Sequence, residues 1–314
     1  MHMRKLFIIG NGFDLAHGLA TSYENFRNYL CDTYIVACEE EYSVPIVPSV
    51  SMGPHGEDIC NMEDVVKFLV YLISSAESDV DKWCDLERSL GLLDYDEFFD
   101  MLTVELDKDG DIDNWKRSCN NEALAFNIFT VVSKIRELFE EWVVDIDIKS
   151  VQKKMRFYDL IQGEDIFLSF NYTETLEDVY GIDGSRVCHI HGERKENILF
   201  GHGNMKNYTE EYMRANIGSE NALSELDDFL KKDTKQALRE HGYFFKGIDN
   251  SVKEVYSMGF SFAEVDLIYI KEICRKLPAD AVWYLNDFEP ADIPTFQRKI
   301  MDCGFKGAFA TFSV

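Results

Sequence analysis

No apolar run in this sequence approaches the ~20 residues needed to span a bilayer, and no basic stretch followed by an apolar one and a small-residue cleavage site opens it. Neither a membrane-embedded nor a secreted protein is written here. The eight cysteines, at positions 31, 38, 60, 84, 119, 188, 274 and 303, include no Cys-x-x-Cys pair, which removes zinc ribbons and thioredoxin-like motifs. They are expected to be reduced thiols of a cytoplasmic protein. Positive charge is also scarce: 32 Lys and Arg stand against 57 Asp and Glu, a formal charge of −25. Such a surface repels phosphate backbones and excludes nonspecific nucleic-acid binding. Internal repeats and low-complexity tracts are absent as well.

What is present is a folded chain of 314 residues, 46% hydrophobic, with material for a substantial core. Its organising stretch is Arg4 to Asp14. Leu6-Phe7-Ile8-Ile9 is a continuous apolar run, as a parallel strand buried on both faces requires, and it leads into Gly10-Asn11-Gly12. The glycines permit a tight turn and close backbone approach to a ligand, and a helix expected from about Asp14 or Ser22 would aim its positive end at an anion. A dinucleotide fingerprint would have a third glycine where Leu15 stands, so a plain glycine turn closing a core strand remains an alternative. With so acidic a chain, an anionic dinucleotide would rely on backbone amides and a few placed side chains.

Between about residues 59 and 162 the apolar period is helical. Over Met62–Ser74, Val65, Val66, Leu69, Val70 and Ile73 share one face, and over Ala123–Val144, Ile128, Val131, Val132, Ile135, Leu138, Phe139 and Trp142 share another. Strands return as Asp165–Phe170, Arg186–His191, Ile198–Gly201, Val255–Phe260, Ala281–Leu285 and Ala308–Val314. Residues 1–54 plus 161–314 are therefore expected to form one α/β domain, a parallel sheet flanked by helices, with 55–160 as a helical insertion. Five strand ends carry glycine or polar residues: Gly10-Asn11-Gly12, Asn171-Tyr172-Thr173, His191-Gly192, Gly259-Phe260-Ser261 and Asn286-Asp287. Open α/β sheets bind ligands outside the carboxyl ends of their strands, so these ends are expected to border one crevice.

Gly10-Asn11-Gly12-Phe13-Asp14, Gly18-Leu19, Thr21-Ser22-Tyr23, Phe26, Trp83, Asp85-Leu86-Glu87, Phe170-Asn171-Tyr172-Thr173 and His189-Ile190-His191-Gly192 resemble, in order and spacing, the AbiH family of bacterial abortive-infection proteins. The resemblance covers nearly the whole chain and implies a phage-defence role, with a defence-system or phage protein as trigger. More distantly, the pattern is similar to the sirtuin-like NAD-binding fold. That likeness implies a Rossmann-like sheet with NAD as substrate or ligand and no metal. It places Gly10, Asn11, Gly12, Phe13, Asp14, Thr21, Ser22 and Tyr23 toward the dinucleotide, Asn171 and His191 at the nicotinamide ribose as catalytic residues, and Gly259, Ser261 and Asn286 at the adenosine half. The chain lacks the four-cysteine zinc module of sirtuins, and Thr173 stands where their carboxylate would be. Acyl-lysine removal is thereby disfavoured and water becomes the acceptor, which implies an NAD glycohydrolase; a nucleotide-binding sensor without turnover is the alternative. Homo-oligomerisation is compatible with either.

Several of these residues have plainer readings. His189 and His191 alternate on one strand and would face the same way, so with His202 they form an alternative metal set. Asn171 suits a helix cap, with Glu174 and Glu177 in the first turn. Trp83 reads as core rather than as part of a lid, and Gly201-His202-Gly203 as a turn or a pocket floor.

Overall fold

The structure is a computed structural model that describes residues 4–36, 44–79 and 82–314. It divides into two compact units, one of Met1–Ser22, Val143–Leu199 and Asp233–Val314, the other of Tyr23–Trp142 and Phe200–Lys232.

The first unit is built on β1 (Arg4–Ile9). The second contributes a two-stranded antiparallel ribbon of β2 (Ser51–Met52) and β3 (Asp58–Ile59). The remaining strands, β4 (Ile166–Ser169), β5 (Val187–His189), β6 (Val252–Met258), β7 (Val282–Asn286) and β8 (Ala308–Phe312), join β1 in a six-stranded parallel sheet of order β5-β4-β1-β6-β7-β8. Counted along the sheet's own strands this is 3-2-1-4-5-6, the doubly wound order of a Rossmann-type fold, and it reverses direction at β1 and β6. The expected α/β parallel sheet flanked by helices is what the chain forms.

Leu6 to Ile9 are apolar throughout because both faces of β1 are covered. Leu6 and Ile8 join a cluster with Leu168, Val255, Trp283, Tyr269 and Ile270, over which helices Leu267–Lys276 and Ile293–Asp302 lie. Phe7 and Ile9 join Phe13, Phe157, Phe167 and Tyr256 on the other face, with Phe7 stacked 5.0 Å from Phe167 and 5.2 Å from Tyr256. Helix Leu267–Lys276 buries Leu267, Ile270, Ile273 and Cys274 and carries Arg275 and Lys276 in its last turn, where positive charge meets the helix dipole. Pro278 follows its end.

The expected strand at Ile198–Gly201 does not form. These residues run as coil, and Gly201, at φ +148°, lies so close to Leu230 that a β-carbon would stand 2.1 Å from its carbonyl oxygen. Of the two helix starts expected, the one at Ser22 holds, with helix Tyr23–Tyr34 beginning at the next residue, whereas the one at Asp14 is preceded by a short helix, Asn11–Ala16, that begins in the glycine turn itself.

The second unit is helical apart from the ribbon and isolated bridges. Helix Met62–Ala76 is capped by Asn61, whose side chain accepts from the Glu63 amide at 3.0 Å, and it buries Val65, Val66, Phe68, Leu69, Leu72 and Ile73. Helix Asn114–Asp145 starts nine residues before the Ala123 read from the apolar period, because its first turns are polar. Trp83 is a core residue, 2% exposed, donating from Nε1 to Ser74 Oγ at 2.9 Å. Cys60, Cys84, Cys119, Cys188, Cys274 and Cys303 are free thiols, whereas Cys31 is disulfide-bonded, which corrects the all-reduced reading at that position; Cys38 lies outside the described residues. Among the described residues no helix is long and apolar enough to cross a membrane.

Candidate functional site

At the point where the sheet order reverses, the turns after β1 and β6 meet backbone to backbone. Gly10 N–H donates to Met258 O at 3.0 Å and Gly12 N–H to Gly259 O at 2.9 Å. A β-carbon on Gly10 would lie 2.5 Å from Gly259 O, and one on Gly12 2.7 Å from Gly259 Cα. Gly259 itself sits at φ +64°. The glycines are thus required by the approach of two turns, and the Gly12 amide expected to meet a phosphate is engaged by Gly259.

Behind this contact lies a buried polar cluster. Asp14, 1% exposed, accepts a hydrogen bond from Thr173 Oγ1, which stands 3.1 Å from Thr175 Oγ1. Burial lifts the Asp14 carboxyl from 3.8 to about 6 against the opposing hydrogen bonds of Thr173, Thr175 and Asn171 and the charge of His189. Asn171 lies two residues past the end of β4 and is 5% exposed; its amide N–H donates to Ser169 Oγ at 3.2 Å, and its side-chain Oδ1 is buried without a hydrogen-bond partner. Asn171 is not a helix cap, since the next helix, Thr175–Asp178, has Glu174 at that position.

The two histidines of β5 and its exit turn have separate surroundings. His189 holds Asn171 O through Nδ1 at 3.1 Å and faces Glu177 at 3.0 Å and Glu193 at 3.6 Å through Nε2. Burial works against its charge, but the Glu177 hydrogen bond and the carboxylate charges prevail, and its pKa is raised. The ligand atoms of Glu177, His189 and Glu193 lie within 4.8 Å of one another, close enough to hold a metal ion, a different set from the one read with His191 and His202. His191 Nε2 instead lies 3.1 Å from Asp266 Oδ1, both residues being buried, with the Phe170 ring at 5.1 Å and Tyr269 at 5.9 Å. The expectation that both histidines face the same way fails because β5 stops at His189 and the chain turns, with Gly192 at φ +81°.

The other expected site residues have local roles of their own. Asn11 uses Nδ2 to hold Thr21 O at 2.8 Å, bracing the glycine turn, while Phe13 packs in the core and the Thr21 hydroxyl is buried. Ser22 is half-buried, and Tyr23 opens helix Tyr23–Tyr34 in the second unit. Gly259 and Ser261 are exposed on the turn after β6. Asn286 closes β7 and spends its side chain locally, accepting from Phe288 N at 3.2 Å and reaching Phe312 O at 3.5 Å. Thr173, Thr175, Glu177, His189 and Asp266 complete the arrangement; Thr173 was expected there only as part of a strand end, His189 only in an alternative metal set and Glu177 only as a first-turn acid, and Thr175 and Asp266 were given no role. Asp266 carried one signal, an acid immediately before an amphipathic helix, but nothing in the sequence ties it to His191.

A doubly wound sheet whose strand ends gather Asp14, Asn171, His189 and His191 defines a Rossmann-type α/β protein with a polar centre at its switch point. The chain matches the family described as "Bacteriophage abortive infection AbiH" over residues 6–287, and it belongs to that family. No curated protein and no solved structure matches it.

Proposed function

We propose that this abortive-infection protein takes a dinucleotide at the switch point of its sheet and hydrolyses NAD at the nicotinamide–ribose bond. The observation that carries the reading is the buried His191–Asp266 pair, 3.1 Å apart. It stands at the end of the strand neighbouring the one that Asn171 follows, since Ser169 and His189 are register partners. The glycosidic C–N bond breaks through an oxocarbenium-like state and neutral nicotinamide leaves. A water oxygen then bonds to the anomeric carbon, and its proton passes to His191, whose imidazolium Asp266 stabilises. The unpartnered Asn171 Oδ1 orients the ribose or that water. Exposed Gly259 and Ser261, with Asn286, hold the adenosine half.

A second reading has its own observation. His191 is 3% and Asn171 5% exposed, and the Gly12 amide is already engaged, which suits a closed pocket serving as a sensor without turnover. A defence-system or phage protein would be the trigger in both cases. Nicotinamide release from the purified chain, alone and with phage-derived or neighbouring-gene proteins, separates the two: release on triggering supports hydrolysis, and dinucleotide binding with no release under the true trigger supports the sensor.

A further inference from the structure

Glu177, His189 and Glu193 converge at the exits of two neighbouring strands of the first unit. Glu177 stands on the short helix Thr175–Asp178 that follows β4, His189 closes β5, and Glu193 lies in the turn after it, where Gly192 takes a φ of +81°. Their ligand atoms lie within 4.8 Å of one another, and among the described residues no other group of three His, Cys, Asp or Glu converges as closely. Among the described residues, too, no Lys or Arg pairs with Glu177 or Glu193. Arg194 is engaged by Glu174 at 2.5 Å and Asp178 at 3.8 Å.

The imidazole shows what kind of charge belongs there. The His189 side chain, 9% exposed, is aimed into the group: Asn171 O, 3.1 Å from Nδ1, can only accept, so Nδ1 carries a hydrogen and Nε2 faces the carboxylates. Metal-binding histidines are ordinarily held in this way, the far nitrogen donating to a backbone carbonyl. A second proton, on Nε2, would serve Glu177 Oε1 at 3.0 Å and nothing else, because Glu193 Oε2 at 3.6 Å is beyond hydrogen-bond reach. It would also leave Glu177 Oε2 buried and without a hydrogen-bond partner. A zinc ion takes imidazole nitrogen and carboxylate oxygen at ~2.0–2.2 Å, which sets neighbouring ligand atoms ~3–3.6 Å apart. The separations of 3.0 and 3.6 Å are of that size. One ion engages both carboxylates where a proton engages one.

We propose that Glu177, His189 and Glu193 bind a divalent transition-metal ion such as zinc. Imidazole selects ions of this class over magnesium and calcium, which prefer oxygen. Glu193, its side chain 34% exposed, gives the ion a way in from solvent. Once bound, it ties the exits of β4 and β5 together and, through His189, fixes the Asn171 carbonyl. The site uses neither His191 nor His202 and does not depend on hydrolysis of a dinucleotide.

Calorimetric titration of the full chain with zinc chloride, after dialysis against a chelator, tests this. Exposed Cys84 and Cys119 can take zinc on their own, so the decisive quantity is the binding that depends on His189. Wild type should show a saturable site that His189→Ala weakens at least ~10-fold and that Glu196→Gln, an exposed acid of the same turn as Glu193, leaves unchanged. Glu193→Gln should weaken it as well, which keeps the test decisive if His189→Ala folds poorly. Zinc should also raise the melting temperature of wild type and of Glu196→Gln more than that of either site variant. Magnesium chloride should give no saturable heat. Equal zinc affinity in wild type, His189→Ala and Glu193→Gln would leave only surface thiols and overturn the proposal, as would no zinc binding at all or magnesium binding as tight as zinc's.

Discussion

Gly12 and Gly259 pack backbone against backbone, the Gly12 amide donating to the Gly259 carbonyl at 2.9 Å. A β-carbon on Gly259 would stand 2.1 Å from the Phe13 nitrogen, in a φ of +64° that side chains resist. Gly259→Ala is therefore expected to cost at least ~2 kcal/mol in urea unfolding. Gly184→Ala, where a β-carbon meets open space, should stay within ~0.5 kcal/mol. Equal effects at the two positions would remove the close-approach account of the switch point.

The hydrolase reading makes a kinetic forecast. His191→Ala should cut nicotinamide release by ~10²–10⁴-fold while leaving dinucleotide affinity within several-fold, because the phosphates and adenosine are held elsewhere. Asn171→Ala should also lose turnover. Gly12→Val should abolish binding, having forced the two turns apart. Full turnover by His191→Ala under activating conditions would end the base assignment, and a silent but binding wild type under the true trigger would favour the sensor.

Asp14 links stability to pH. Because burial raises its carboxyl from 3.8 to about 6, the folded state holds a proton that the unfolded chain has released. Stability from this group is present below pH 4, declines as pH rises to about 6, and stays lower above, by up to ~3 kcal/mol. His189, also raised, acts in the same direction at higher pH: its contribution is complete below 6.5 and disappears as pH climbs through its folded pKa. Unfolding curves at half-unit steps from pH 4 to 8 should show Asp14→Asn flattening the acid half of this decline. An unchanged profile would mean that Asp14 is not the proton-holding group.

Phe7 stacks between Phe167 and Tyr256 with no exposed surface. Phe7→Ala should cost ~3–5 kcal/mol, measurable as a fall in urea midpoint at unchanged m-value. A loss under 1 kcal/mol would show that this face of the sheet can collapse around the gap.

The fold was legible where one physical signal sufficed. Leu6–Ile9 has to be buried on both faces, and it is; the apolar periods of 62–74 and 123–144 could only be helices, and they are. Ile198–Gly201 misled because an apolar triplet can be buried as coil once a glycine adopts a φ that strands do not use. The carboxyl ends that gather polar residues were readable from composition, but the pairs that give them chemistry were not. Asp14 meets Thr173 across 159 residues, and His191 meets Asp266 from another strand and its crossover. No local period encodes such meetings. The opposite surroundings of His189 and His191 depend on β5 ending one residue after Cys188, a detail of register that spacing alone does not carry.

The centre of the sheet is also the part of the chain that waits longest for its neighbours. The Lys5 amide donates to the Asp165 carboxylate, 160 residues on, and β1 pairs with β6 only once Val252 onward exists. At ~5–20 residues per second, translation leaves Leu6–Ile9 without either flanking strand for on the order of ten seconds or more. Contacts this distant in sequence also make assembly slow after synthesis. During that interval a four-residue apolar edge, later fully buried, is open to wrong partners. The sheet unit is therefore expected to be the last part of the chain to become resistant to protease during refolding, after the helical second unit.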